Sequence, residues 1–212
     1  MTGHTTKSRA LVPVLLAVAV GAVLVGCSST EPTGQSAAEP ASPSGSGEAP
    51  EGVRTAVALL EPTDGHRAGG TVTFTQAADG IHVTATIEGL SPGEHGFHVH
   101  EFGDCAAPDA SSAGGHFNPD GTPHGAPDAP PDLRHAGDLG NIEADASGHA
   151  TYDRLDSDIA FSGDHSIIGK SVIVHQGRDD LTSQPSGDAG PRVACGIIEM
   201  QSDETDAGSA GS

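Results

Sequence analysis

Strict two-residue alternation is the feature that most limits how this chain can fold. Thr71-Val72-Thr73-Phe74-Thr75 and Ile81-His82-Val83-Thr84-Ala85-Thr86-Ile87 put apolar and polar side chains on opposite sides at every step. A β-strand has that period, and β-branched residues suit its pleated surface. Further short runs recur at 53–60, 95–101, 139–144, 149–155, 171–175 and 194–200, and helical periodicity is hard to find among them. Ala77-Ala78-Asp79-Gly80 and Asp145-Ala146-Ser147-Gly148 read as hairpin turns. Eight short strands with Gly- and Pro-rich connections predict an all-β, antiparallel sandwich or barrel. Two connections, 102–138 and 176–193, are too long to be structureless in a small domain. They are expected to be functional or tied down.

Nine Lys and Arg stand against 29 Asp and Glu, a formal net charge of -20. Nucleic acid binding needs the opposite sign, so nucleic acid is not an expected partner. Five Phe, one Tyr and no Trp also leave no stacking platform for bases and no aromatic-lined pocket. Lys7 and Arg9 precede an apolar run over 10–26 that falls short of the roughly 20 residues of a membrane span. The pattern reads as a signal peptide, with an uncleaved anchor helix as the alternative. Leu24-Val25-Gly26-Cys27 resembles the bacterial lipobox, which implies cleavage before Cys27 and acylation of its thiol. Two acyl chains hold a protein on a membrane where one is marginal.

The organisation predicted is a signal peptide at 1–26, lipidated Cys27 with a flexible Ser/Pro/Gly linker to 52, a folded domain at 53–201 and a polar tail at 202–212. The domain is expected outside the cytoplasm, anchored to the membrane. Cys105 and Cys195 are then an even pair in an oxidising compartment and are expected to form a disulfide. Two buried free thiols are the other reading.

Twelve His in so acidic a chain point toward metal. In a strand, His98 and His100 leave the same face while Val99 leaves the other. Two such imidazoles can share an ion, although for His-x-His alone two solvent-exposed rings are the favoured reading. The loop that follows adds His116, His124, His135 and Asp138, and His175 ends a later strand run. Imidazole with carboxylate suits zinc or copper, and an ion would order so long a loop. Seven ligands are too few for two separate four-ligand sites; one shared ligand would complete both.

Gly96-Phe97-His98-Val99-His100-Glu101-Phe102-Gly103-Asp104 and Gly115-His116-Phe117-Asn118-Pro119 resemble the signatures of copper/zinc superoxide dismutases. So do His135-Ala136-Gly137-Asp138-Leu139-Gly140-Asn141 and Gly190-Pro191-Arg192-Val193-Ala194-Cys195-Gly196-Ile197-Ile198. The resemblance covers essentially all of 53–201. It implies an eight-stranded Greek-key barrel and one copper and one zinc ion per chain. Copper would be held by His98, His100, His116 and His175, zinc by His116, His124, His135 and Asp138, with His116 bridging. It further implies that Asp179 orients His98 and His124, that His95 is structural, and that Arg192 guides superoxide to the copper. The activity implied is conversion of superoxide to dioxygen and hydrogen peroxide by copper redox cycling, protecting the cell envelope. An exported copper/zinc buffer without turnover is the alternative. A homodimer is compatible with the resemblance, but the apolar pattern names no face for it. His66, His82, His149 and His165 have no partner pattern and are expected to be exposed.

Overall fold

The computed structural model describes residues 54–202. The segments expected to be a signal peptide, lipidated Cys27 with its linker, and the tail from 203 onward lie outside the described residues. Among the described residues nine strands follow in order: β1 Thr55–Pro62, β2 Gly69–Ala77, β3 Gly80–Glu88, β4 Gly93–His100, β5 Asp138–Ala144, β6 Ala150–Asp156, β7 Ser171–His175, β8 Arg192–Ile197 and β9 Glu199–Met200. Two short 3-10 turns, Ser111–Ala113 and Pro131–Leu133, interrupt the loops between them.

Eight of the strands close into an antiparallel Greek-key barrel in the order β1-β2-β3-β6-β5-β4-β7-β8, returning to β1. The eighth run of the sequence breaks at Ile198. That side chain turns fully inward, and the chain resumes as β9 farther along the edge of β1 that β8 pairs with, setting Ala56 opposite Met200. Alternation decides what goes inside. Val72 and Phe74 of β2 and Ile81, Val83 and Ile87 of β3 are fully buried, while the intervening Thr and His side chains face outward. Each such apolar side chain contributes roughly 1.5–3 kcal/mol on leaving water.

One seam is weakly laddered. β5 and β6 share a single residue pair, Ala144 with Ala150. Tyr152 spans the gap, donating from Oη to the Leu139 carbonyl at 2.7 Å and meeting the Phe97 ring edge-on at 5.0 Å. Nearby, buried Arg134 reaches the Asp156 carboxylate at 3.1 Å.

The long loops pack against β4, β7 and β8. All five residues of β7 are buried, the mark of a strand covered on both faces. Val172 and Val174 enter the barrel, whereas Ile173 lies beneath a second, smaller cluster with Ala110, Ala113, Cys195 and Cys105. Cys105 and Cys195 form a disulfide that closes a 90-residue separation and pins this part of the 101–137 loop to β8. The chain-entropy model values such a closure at roughly 4–5 kcal/mol.

Candidate metal centre

The site is built on the outer face of β4 and β7. Phe97 and Val99 point into the barrel, so His98 and His100 must point out. They would be exposed there, but the 101–137 and 176–191 loops fold over them and both are buried. A register shift between Gly96 and His98 frees the edge of β4 beyond that point, and residues 115–117 occupy it. Glu101 N donates to Gly115 O and Phe117 N to Val99 O, so His116 is seated against His100 by backbone bonds. Gly137 closes the same corner. Its N–H donates to Phe117 O, and any Cβ there would overlap the Val99 carbonyl, so the approach tolerates only glycine. A second shift, between Val174 and His175, sets His175 opposite Arg192 on β8.

Two buried groups result. His98, His100, His116 and His175 form one; His116, His124, His135 and Asp138 form the other; within each, one ligand atom per residue lies within 4.8 Å of the rest. His116 belongs to both, its Nδ1 2.8 Å from Asp138 Oδ1. The rings are held from behind. His98 Nε2 meets Asp179 Oδ2 at 2.8 Å, while His100 Nδ1 and His175 Nδ1 donate to the Gly114 and Gly190 carbonyls at 3.0 Å. His124 Nε2 meets the other Asp179 oxygen at 2.9 Å. The inward nitrogens of His98, His100, His116, His124, His135 and His175 have no hydrogen-bond partner although they are buried. Buried polar atoms are normally satisfied, so six such nitrogens converging on two points fit cation binding.

Titration of these groups follows their surroundings. Burial holds His98 down to about 3 and His175 to about 4, and it depresses His100 and His116 as well. These rings are neutral at pH 7, as ligation requires. Burial acts on His124 in the same direction, but the Asp138 and Asp179 carboxylates outweigh it and push the ring up to about 9. Against the opposing effect of burial, the His116, His124 and His135 rings hold the Asp138 carboxyl below the usual range, and the His124 and His98 rings hold that of Asp179 there.

Beside the first group opens a cavity of about 360 Å³, walled by His100, His116, His135 and His175 together with Pro185, Ser186 and Arg192. The Arg192 guanidinium is half-buried and donates to the Ala110 and Gly114 carbonyls. Gly114 O thus serves both Arg192 and His100, fixing the cation relative to a ring of the first group.

Residues 68–198 match the family model for copper/zinc superoxide dismutase. The chain belongs to the copper/zinc superoxide dismutase family. The solved crystal structure of "the clock protein EA4" is 44% identical, with a TM-score of 0.62, over 68% of this chain and 93% of that one.

Every residue the sequence put forward for this dismutase-family site within 54–202 falls at these two groups or against them. His95 lies just behind, buried, with Nδ1 2.8 Å from the His175 carbonyl. The remaining histidines differ from expectation. His66, His82, His149 and His165 are half-buried, His82 pairs with Asp153 at 2.8 Å, and His165 joins Asp120 to Asp158 at 3.1 and 3.2 Å. Sequence reasoning gave no role to Asn141 or Gln184. Asn141 bonds both peptide groups of Asp179, accepting at 2.8 Å and donating at 2.9 Å. No period or spacing marks such a carboxamide, because its partner is another residue's backbone.

Proposed function

We propose that the domain is a superoxide dismutase carrying one copper and one zinc ion, working outside the cytoplasm. His98, His100, His116 and His175 would hold copper; His116, His124, His135 and Asp138 would hold zinc. Copper bound there supplies a one-electron redox couple, whereas zinc, which has none, supplies charge and a fixed partner for His116. His116 is the ring placed to carry a proton at Nε2, on the cavity side, while Nδ1 faces Asp138. Arg192 offers charge and directed N–H donors to a small anion in the cavity. Asp179 holds His98 and His124 in one tautomer and orientation.

The observation that carries this reading over a metal buffer is Arg192 on the cavity wall beside His100, His116 and His175. A buffer has no use for an anion guide held in place by two backbone carbonyls. Copper and zinc per chain, measured with superoxide consumption per copper, test it: one of each ion and turnover are expected. Zinc alone after refolding in excess copper would sink the proposal.

Attachment rests on Leu24-Val25-Gly26-Cys27, and membrane anchoring through acylated Cys27 is part of the proposal. Cys27→Ser should leave the membrane fraction while the released domain keeps its activity. Retention of this variant in the membrane would replace the lipid anchor by the apolar segment.

A further inference from the structure

Gln184 belongs to neither metal-facing group, yet its side chain is committed to one of them. Its Oε1 accepts from the backbone N–H of His124 at 2.8 Å, and its Nε2 donates to the backbone carbonyl of the same residue at 2.8 Å. The two residues stand 60 positions apart, His124 in the 101–137 loop and Gln184 in the 176–191 loop. The His124 ring already reaches that second loop through Asp179. Main chain and side chain of one residue are therefore gripped by the same loop at two places.

The peptide needs this partner. His124 is buried, and among the described residues no backbone-to-backbone bond engages its N–H or its carbonyl. Buried peptide groups without partners are costly, so a segment deprived of them moves until water or another group satisfies them. Moving the His124 peptide swings the Cα–Cβ bond and with it the inward Nδ1, 3.0 Å from Asp138 Oδ1. The grip also works in reverse. Gln184 is followed by Pro185 and Ser186, which line the cavity mouth, and by Gly187, whose backbone passes against Asp179 and His124.

We propose that Gln184 is a positioning residue for the second metal group, fixing His124 through its peptide and tying the cavity rim to that group. The metal side of this inference rests on zinc being held by His116, His124, His135 and Asp138. Gln184 touches no metal ligand atom and no reacting group. It acts through His124.

Two nearly isosteric substitutions separate the hydrogen bonds from mere filling of space. Gln184→Glu keeps the shape and an acceptor but turns oxygen toward the His124 carbonyl; Gln184→Met keeps the length and offers neither bond. In the full folded domain, with far-ultraviolet circular dichroism and disulfide mapping as fold controls, both should speed zinc release to a chelator by about tenfold or more, the scale on which outer partners of ligands act. Cobalt substituted for zinc should show a shifted visible absorption band, and exchange of the His124 amide hydrogen should accelerate. Wild-type zinc release and cobalt spectrum in both variants would overturn the proposal. Should the wild-type protein take up no zinc, the metal reading itself fails. Amide exchange in the metal-free protein then decides: unchanged protection of His124 in Gln184→Met overturns the grip, and its loss upholds it.

Discussion

His98, His100, His124 and His175 divide their two nitrogens, one anchored and the other facing an ion site, whereas His116 turns one nitrogen to each group. The anchors differ between the two groups, and so does the proton balance. His98, held down to about 3, and His175, at about 4, are neutral at pH 7. His124, pushed up to about 9, is protonated there and must lose that proton to bind an ion. Zinc uptake by metal-free protein at pH 7 should therefore release about one proton per ion from His124, and the release should fade as pH rises above 9, where the ring is already neutral. Calorimetry in two buffers of different ionisation enthalpy reads this directly. Identical heats in both buffers at pH 7 would refute it. The identities of the rings were legible in the sequence, because His-x-His in a strand and His residues among Gly and Pro are patterns of letters. Their anchors were only half legible. Asp179 could be named, but Gly114 and Gly190 serve through carbonyl oxygens, which every residue has and no letter marks.

At the level of elements, alternation located the strands to within a few residues, because the barrel interior accepts one face of each. It failed to foresee the break at Ile198, where a run of mixed character divides between β8 and β9. The loops were legible as long and in need of ties. How they dock was not, since the ties are side chain to backbone across 60 positions or a glycine that permits contact. Gly187 is such a case. Its φ is +69°, and a Cβ there would overlap Asp179 Oδ1 and come within 2.7 Å of His124 Nε2. Gly187→Ala should push apart the Asp179–His124 contact and weaken zinc retention about tenfold or more. Gly163→Ala isolates the backbone cost, because Gly163 has φ +79° but open space around it. That variant should lose about 1–2 kcal/mol of stability and hold zinc as the wild type does. Equal zinc retention in the two variants would mean that the Asp179–His124 contact does not govern the second group.

Over the whole molecule, charge opposes the proposed substrate. Between residues 53 and 201, 22 acidic side chains face seven Lys and Arg, so the distant field repels a small anion. The 176–191 loop does little to reverse it, because its single cation, Arg178, donates from Nε to Glu94 at 2.7 Å. Arg192 is different: its guanidinium lines the cavity and pairs with carbonyls rather than carboxylates, so its charge stays available. Local attraction at the mouth must then work against repulsion spread over the barrel. Salt distinguishes the two, since screening sets in over about 10 Å at 0.1 M. A charge at the mouth guides over short distances and many remote carboxylates act over long ones, so raising salt weakens both but not equally. Where the cation at the mouth dominates the approach, the net expectation is a shallow slowing of wild-type turnover. Arg192→Ala should lower turnover about tenfold with both metals retained, within the range electrostatic guidance supplies. Arg192→Glu should lower it further and invert the salt response, because screening then relieves repulsion at the mouth itself. Turnover at matched copper content, measured from low to physiological salt, checks all three. Wild-type rates for Arg192→Glu at low salt would remove Arg192 from the guidance of the anion.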